Sequence, residues 1–146
     1  MILKLILILL KSKYMNTIIL AINPKYVQRI FTGEKKYEFR KIICKKSIDK
    51  ILIYETAPTS KIVGEVTVTS VLKDTPTNLW KLTKMRAGID YDSFFAYFKN
   101  KEYAYSYVLE NPIRYKKPRK IETYGLSAPP QNFVYLNKQL DVAGGA

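Results

Sequence analysis

The chain has 146 residues and a mass of 16.9 kDa, enough for one domain and too short for two of ordinary size. Lys and Arg number 25 against 12 Asp and Glu, a net charge of +13, so an anionic partner is the first expectation: nucleic acid, a membrane surface or an acidic protein. There is no histidine and one cysteine, Cys44, which excludes imidazole catalysis, a Cys/His zinc site and any disulfide within the chain.

Residues 1–14 open with MILKLILILL, an apolar run interrupted by Lys4. A bilayer span needs about 20 apolar residues, and no small-residue cleavage pattern follows the run. These residues are therefore read as a dispensable leader, with Met15 a candidate true start, and no membrane partner is expected. Removing Lys4, Lys11 and Lys13 from a chain of +13 still leaves +10. Residues 15–138 are read as a single domain, and 139–146, ending DVAGGA, as a flexible tail.

Thr17–Ile22 (TIILAI) is an apolar run suited to a buried strand. Asn23-Pro24 then reads as a cap followed by proline at the first helical position. Tyr26, Val27, Ile30 and Phe31 recur at helical spacing, and Gly33 can close that helix in the left-handed conformation. Lys36–Arg40 (KYEFR) alternates, sending Tyr37 and Phe39 to the core and Lys36, Glu38 and Arg40 to a cleft or to solvent.

Lys50–Glu55 and Lys61–Leu72 read as strands, the second rich in Val and Thr, with Gly64 marking a bend or bulge. Thr75-Pro76 repeats the cap-plus-proline signature for a helix through Leu79, Trp80 and Leu82, with Trp80 in the core. Asp90 or Asp92 can cap a second helix carrying Phe94, Phe95 and Phe98. In Glu102–Leu109, Tyr103, Tyr105 and Tyr107 alternate with small residues, a strand that offers either a stacking platform or a core face. A basic connection follows, and Asn132–Leu136 (NFVYL) supplies a last strand. The pattern is α+β: a small mixed β-barrel or curved sheet with inserted helices.

Gly33-Glu34-Lys35-Lys36-Tyr37-Glu38-Phe39-Arg40 fits G-x-K-x-x-E-x-R, placed between a helix and a strand. Glycine permits the sharp turn, and strand alternation puts Glu38 and Arg40 on one face. Arg offers a planar fork, Lys a point charge and Glu an acceptor for an exocyclic amine. The plain alternative is a solvated strand face on which truncation costs within about 1 kcal/mol.

This octapeptide resembles the signature of the ASCH domain family of the PUA-like superfamily. The strand-helix lead over 18–32, the IYET strand with its V-G-E-V (Ile53–Val66) and the terminal P-Q-x-F-x-Y (Pro130–Tyr135) resemble the family too. The resemblance covers about residues 17–137 and implies a PUA-like β-barrel whose cleft is lined by the motif, in a family linked to RNA and modified nucleotides. It is also similar to small amidohydrolases that deacetylate acetylcytidine; there a Thr, the proposed nucleophile, stands where this chain has Glu38.

Two function classes follow. One is a binding module in which Lys35, Glu38, Arg40, Tyr54 and Thr56 hold a base of RNA or a modified nucleotide. In it Arg114, Lys116, Lys117, Arg119 and Lys120, from the run RYKKPRK, track the phosphate backbone around Tyr115. The other is a hydrolase of a modified nucleoside or of RNA, with Lys35 and Glu38 as the catalytic pair. A weaker third is an accessory to an acidic protein. No cofactor and no metal are expected, Cys44 is read as a plain thiol, a cytoplasmic location fits the cysteine count, and a monomer is expected.

Overall fold

A computed structural model describes residues 2–6 and 16–136. Residues 2–6 are helical with exposed side chains; the rest of the leader read from the sequence, and the tail over 139–146, lie outside the described residues. From there the chain lays down β1 (Thr17–Ile22), α1 (Pro24–Thr32), β2 (Tyr37–Arg40), β3 (Lys50–Glu55) and β4 (Lys61–Asp74). A helical insert follows, formed by α2 (Pro76–Thr83), a 3-10 turn (Lys84–Arg86) and α3 (Tyr91–Tyr97). The chain then returns through β5 (Ala104–Arg119), a second 3-10 turn (Ile121–Tyr124) and β6 (Phe133–Tyr135).

The strands form one mixed sheet in the order β2-β5-β4-β3-β1-β6, with β1 and β3 parallel and the other pairs antiparallel. The sheet curls into a half-barrel. Arg40, on the edge strand β2, reaches the main chain of β1, which lies fifth in the order.

Local chemistry accounts for the helix ends. The Asn23 side chain accepts from Lys25 N at 3.0 Å, and Gly33, at φ 87°, closes α1 with its N–H on the Ile30 carbonyl. Thr75 caps α2 by accepting from Asn78 N at 3.3 Å. Of the two candidate aspartates, Asp90 caps α3, accepting from Ser93 N at 2.8 Å.

The core divides into three clusters. Alternate residues of β1 and β3 (Ile18, Leu20, Ile51, Ile53) meet Val27 and Ile30 of α1 on one face. Ile19, Leu52, Tyr54 and Ile62 pack on Ile121, Tyr124 and Leu136 on the other. Phe39 joins the helical insert through Leu79, Phe94 and Phe98, with the Trp80 ring half-buried alongside.

Gly64 sits where β4 breaks register with both neighbours. A Cβ there would overlap the Ile113 carbonyl oxygen and come within 2.6 Å of the Phe31 ring, so close backbone approach demands glycine.

One sequence reading needs correction. The basic segment is not a loop: residues through Arg119 belong to β5 and pair with β4, Gly64 opposite Arg114 and Ile62 opposite Arg119. Of the two readings of the three tyrosines, the core and sheet-surface one holds. Tyr103 is exposed ahead of the strand, Tyr105 is half-buried, and Tyr107 is wholly buried with its hydroxyl accepting from Cys44 N at 3.2 Å. Cys44 is a buried thiol.

Candidate functional site

The G-x-K-x-x-E-x-R motif is bent around the end of α1 and held by main-chain bonds on both sides. Lys35 N donates to the Arg29 carbonyl and Lys36 N to the Arg86 carbonyl, each at 2.9 Å. Phe39 points into the insert's core, so Glu38 and Arg40 face the other way, as strand alternation predicts. Lys36 does not join them; it is exposed, and Lys35 takes its place.

The trio is more deeply set than a solvated strand face. Lys35 is 3% exposed and Glu38 5%. Glu38 Oε2 accepts from Arg40 Nη2 at 2.9 Å, and its Oε1 lies 3.8 Å from Lys35 Nζ. Lys35 Nζ also donates to the Ala87 carbonyl at 2.8 Å and stands over the rings of Tyr26 and Phe39, 5.1 and 4.8 Å from their centroids. Burial lowers its pKa from 10.5 to about 8, with Glu38 opposing the fall and Arg29 and Arg40 adding to it. Arg40 Nη2 donates in addition to the Ala21 carbonyl at 2.6 Å, fastening β2 to β1.

These side chains form the floor of a cleft of about 610 Å³. Its walls are Ile22 and Asn23 at the β1–α1 junction, Tyr26, and Ile89, Ser93, Ala96 and Tyr97 from the insert. Burial raises the Tyr97 hydroxyl above its ordinary pKa, so it stays a neutral donor at neutral pH. Residues 86–89 hold the insert against the motif. Ala87 receives Lys35, and Gly88, at φ 65°, accepts from Arg29 Nη1 at 2.8 Å. A Cβ at Gly88 would overlap the Lys35 stem. Lys35, Arg40 and nearby Arg29 outweigh Glu38, leaving a positive floor under partly aromatic walls.

Among the residues expected from sequence, Lys35, Glu38 and Arg40 come together here. Tyr54 and Thr56 do not line this cleft. Tyr54 is buried in the second cluster and borders a separate hollow with Ser60, Lys61 and Lys120, while Thr56 N donates to the Ile22 carbonyl at 3.0 Å. Lys116, Lys117, Arg119 and Lys120 form a second groove of about 570 Å³ with Lys61, Tyr115 and Thr123. In it Arg119 lies over the Tyr115 ring at 4.0 Å and donates to the Tyr124 hydroxyl at 2.7 Å. Arg114 stacks instead on Phe31, 4.3 Å from its centroid, outside that groove.

The cleft residues missed from sequence are Ile22, Asn23 and Tyr26, read there only as strand, cap and helix face, and those of the insert. Ser93, Ala96 and Tyr97 recur at i, i+3 and i+4 on α3, the face complementary to Phe94 and Phe98. That second face was the available signal.

A curled mixed sheet closed by a strand-edge arginine, with a charged cleft between helix and insert, defines a PUA-like small barrel. The chain belongs to the ASCH domain family, whose model matches residues 20–119. An ASCH protein of Zymomonas mobilis has a crystal structure similar to this fold, with a TM-score of 0.78 at 23% identity over 90% of this chain and 93% of that one. The N-terminal domain of Staphylothermus marinus McrB is more distantly similar, with a TM-score of 0.56 at 14% identity over 92% and 95% of the two chains. In sequence the chain is 29% identical over 122 residues to the large ribosomal subunit protein uL22 of Ureaplasma parvum serovar 3, covering 83% of this chain and 39% of that protein. The chain thus spans well under half the length of this curated relative.

Proposed function

We propose that this chain binds RNA, seating one base, modified or not, in the cleft over Lys35, Glu38 and Arg40 while the basic end of β5 holds the sugar-phosphate backbone. The observation that carries the reading is the cleft itself. About 610 Å³ suits a nucleotide, Tyr26 and Tyr97 supply aromatic wall, and the floor is net positive. Glu38 has the narrower role of holding two cations in place, since each of its oxygens already faces one; an amine of the ligand would share those oxygens. Arg114, Lys116, Lys117, Arg119 and Lys120 supply affinity that falls steeply with salt.

The second reading is hydrolysis of a modified nucleoside or of RNA, favoured by one observation: a buried amine with a pKa of about 8 at the bottom of a cleft. At neutral pH about a tenth of Lys35 is neutral and able to take a proton from an attacking water.

Incubating the protein with total RNA and with a panel of modified nucleosides, followed by mass spectrometry, separates the two. Binding without turnover leaves every nucleoside intact and retains RNA, less of it in an Arg40→Ala variant. A new nucleoside or cleaved RNA, lost in Lys35→Met, supports the hydrolase. Retention equal in Arg40→Ala and wild type, with no product, contradicts both uses of the cleft.

A further inference from the structure

Resting on the reading of the cleft as a nucleotide site, we propose that the cleft and the β5 groove are two subsites for one strand. That strand must be single and at least about four nucleotides long to reach both.

The sheet register places the two sites. Ala21 of β1 pairs with Tyr54 of β3, Tyr54 with Ile62 of β4, and Ile62 with Arg119 of β5. These four residues make one row across the sheet. At one end Arg40 grips the Ala21 carbonyl, so the cleft begins where the row begins. At the other end stands Arg119, the pinned guanidinium of the groove. Three strand spacings separate Ala21 from Arg119, about 14 Å, a lower bound for a bound strand because Tyr54 and Ile62 in the row are buried and must be passed over. A stacked strand advances about 3.4 Å per nucleotide, so about four nucleotides are the least that covers that distance.

A further hollow adjoins the groove end of the row. Tyr54, Thr59, Ser60, Lys61, Lys120 and Ser127 border a hollow of about 750 Å³, which shares Lys61 and Lys120 with the groove. A sugar-phosphate chain would meet hydroxyls and lysines there, with the Glu122 carboxylate on one side.

Arg119 differs from its lysine neighbours. Stacking on Tyr115 and the bond to Tyr124 hold its guanidinium in one orientation, and Tyr115 is itself fixed by donating to Glu65 Oε1 at 2.9 Å. A fork fixed before binding loses little freedom when it takes a phosphate, so Arg119 sets the register of the strand. Lys116, Lys117 and Lys120 hold charge without fixed geometry. A base already paired in a duplex could not enter the cleft, so the ligand is single-stranded.

Linking two subsites multiplies affinity by effective concentration over the second site's Kd. With effective concentration on the order of 1 mM and a groove Kd on the order of 0.1 mM, the gain is about tenfold. The test measures competition by UMP and by oligouridylates of about two to eight nucleotides against a labelled octamer, at fixed salt, for wild type and two variants. The expected result is a step of about tenfold near four nucleotides and a plateau beyond it. Arg119→Ala should bring the pentamer-to-dimer ratio close to one, and Tyr124→Phe, which keeps the ring and loses only the hydroxyl, should lower it partway.

A smooth rise with length, a step kept in Arg119→Ala, or equal affinity for a duplex of matched length overturns the two-subsite arrangement. Failure of the underlying reading looks different: Arg40→Ala then leaves UMP affinity at the wild-type value. If Arg40→Ala weakens UMP and no step exists, the nucleotide cleft stands and the shared strand falls.

Discussion

Replacing Glu38 by Gln removes one negative charge from between two buried cations while keeping the shape of the side chain. In the native protein Glu38 lies 3.8 Å from Lys35 Nζ and 2.9 Å from Arg40 Nη2, and the Lys35 side chain is 2% exposed. Removing one partner of a buried pair costs about 3 kcal/mol or more. The sequence expectation of about 1 kcal/mol for a surface strand is therefore too small for this position. Lys35 gives the cost a pH signature. Below about pH 8 it is charged and needs Glu38; above that it sheds its proton and the need lapses. Urea unfolding of wild type and Glu38→Gln should give a difference of about 3 kcal/mol near pH 6 that shrinks by about 1.4 kcal/mol or more near pH 9. The Arg40 contribution persists at both. A difference that is the same at both pH values, or below about 1 kcal/mol at pH 6, would refute the account of a buried, mutually dependent trio.

Wild-type stability itself should rise between about pH 8 and about 10, because there the unfolded chain holds a proton on Lys35 that the folded chain has released; Lys35→Met should flatten that rise in matched thermal melts. Changing Lys116, Lys117 and Lys120 to Gln should lower the slope of log affinity for single-stranded RNA against log salt by about two, roughly 0.7 per contact, with the melting temperature nearly unmoved. Gly64→Ala should cost about 3 kcal/mol in urea unfolding through overlap with Ile113 and Phe31, against about 1 kcal/mol for Gly33→Ala, where the space is open and only the left-handed backbone resists. A chain beginning at Met15 should melt at the same temperature as the full chain; a drop would mean that residues 1–14 belong to the core.

The lead of the fold was legible because its signals are local. Asn23-Pro24, Gly33, Thr75-Pro76 and Asp90 mark helix ends through their own backbone chemistry, and each does so in the structure. The second half of β5 was not legible, and its position in the sheet explains why. β2 pairs with β5 only from Tyr105 to Val108, so beyond Leu109 β5 has β4 on one side and no strand on the other among the described residues. An edge tolerates the prolines Pro112 and Pro118 and a row of lysines, the composition that reads as a loop in sequence. The cleft was half legible. Lys35, Glu38 and Arg40 lie within six residues, whereas the wall from Ile89 to Tyr97 lies some fifty residues further on, and the turn before it is tied to Lys35 through the Ala87 carbonyl and to Arg29 through the Gly88 carbonyl. The depth of the trio was hidden for the same reason, since the insert is what covers Lys35.

The cleft over Lys35, Glu38 and Arg40 is proposed to receive a nucleotide. The most direct measurement is a backbone amide chemical-shift titration of the full chain with UMP. Shifts should cluster at Asn23, Tyr26, Lys35, Arg40, Ser93 and Tyr97, the residues that surround the cleft. Shifts confined to Lys116–Lys120 and Thr123, with the cleft residues unmoved, would contradict it.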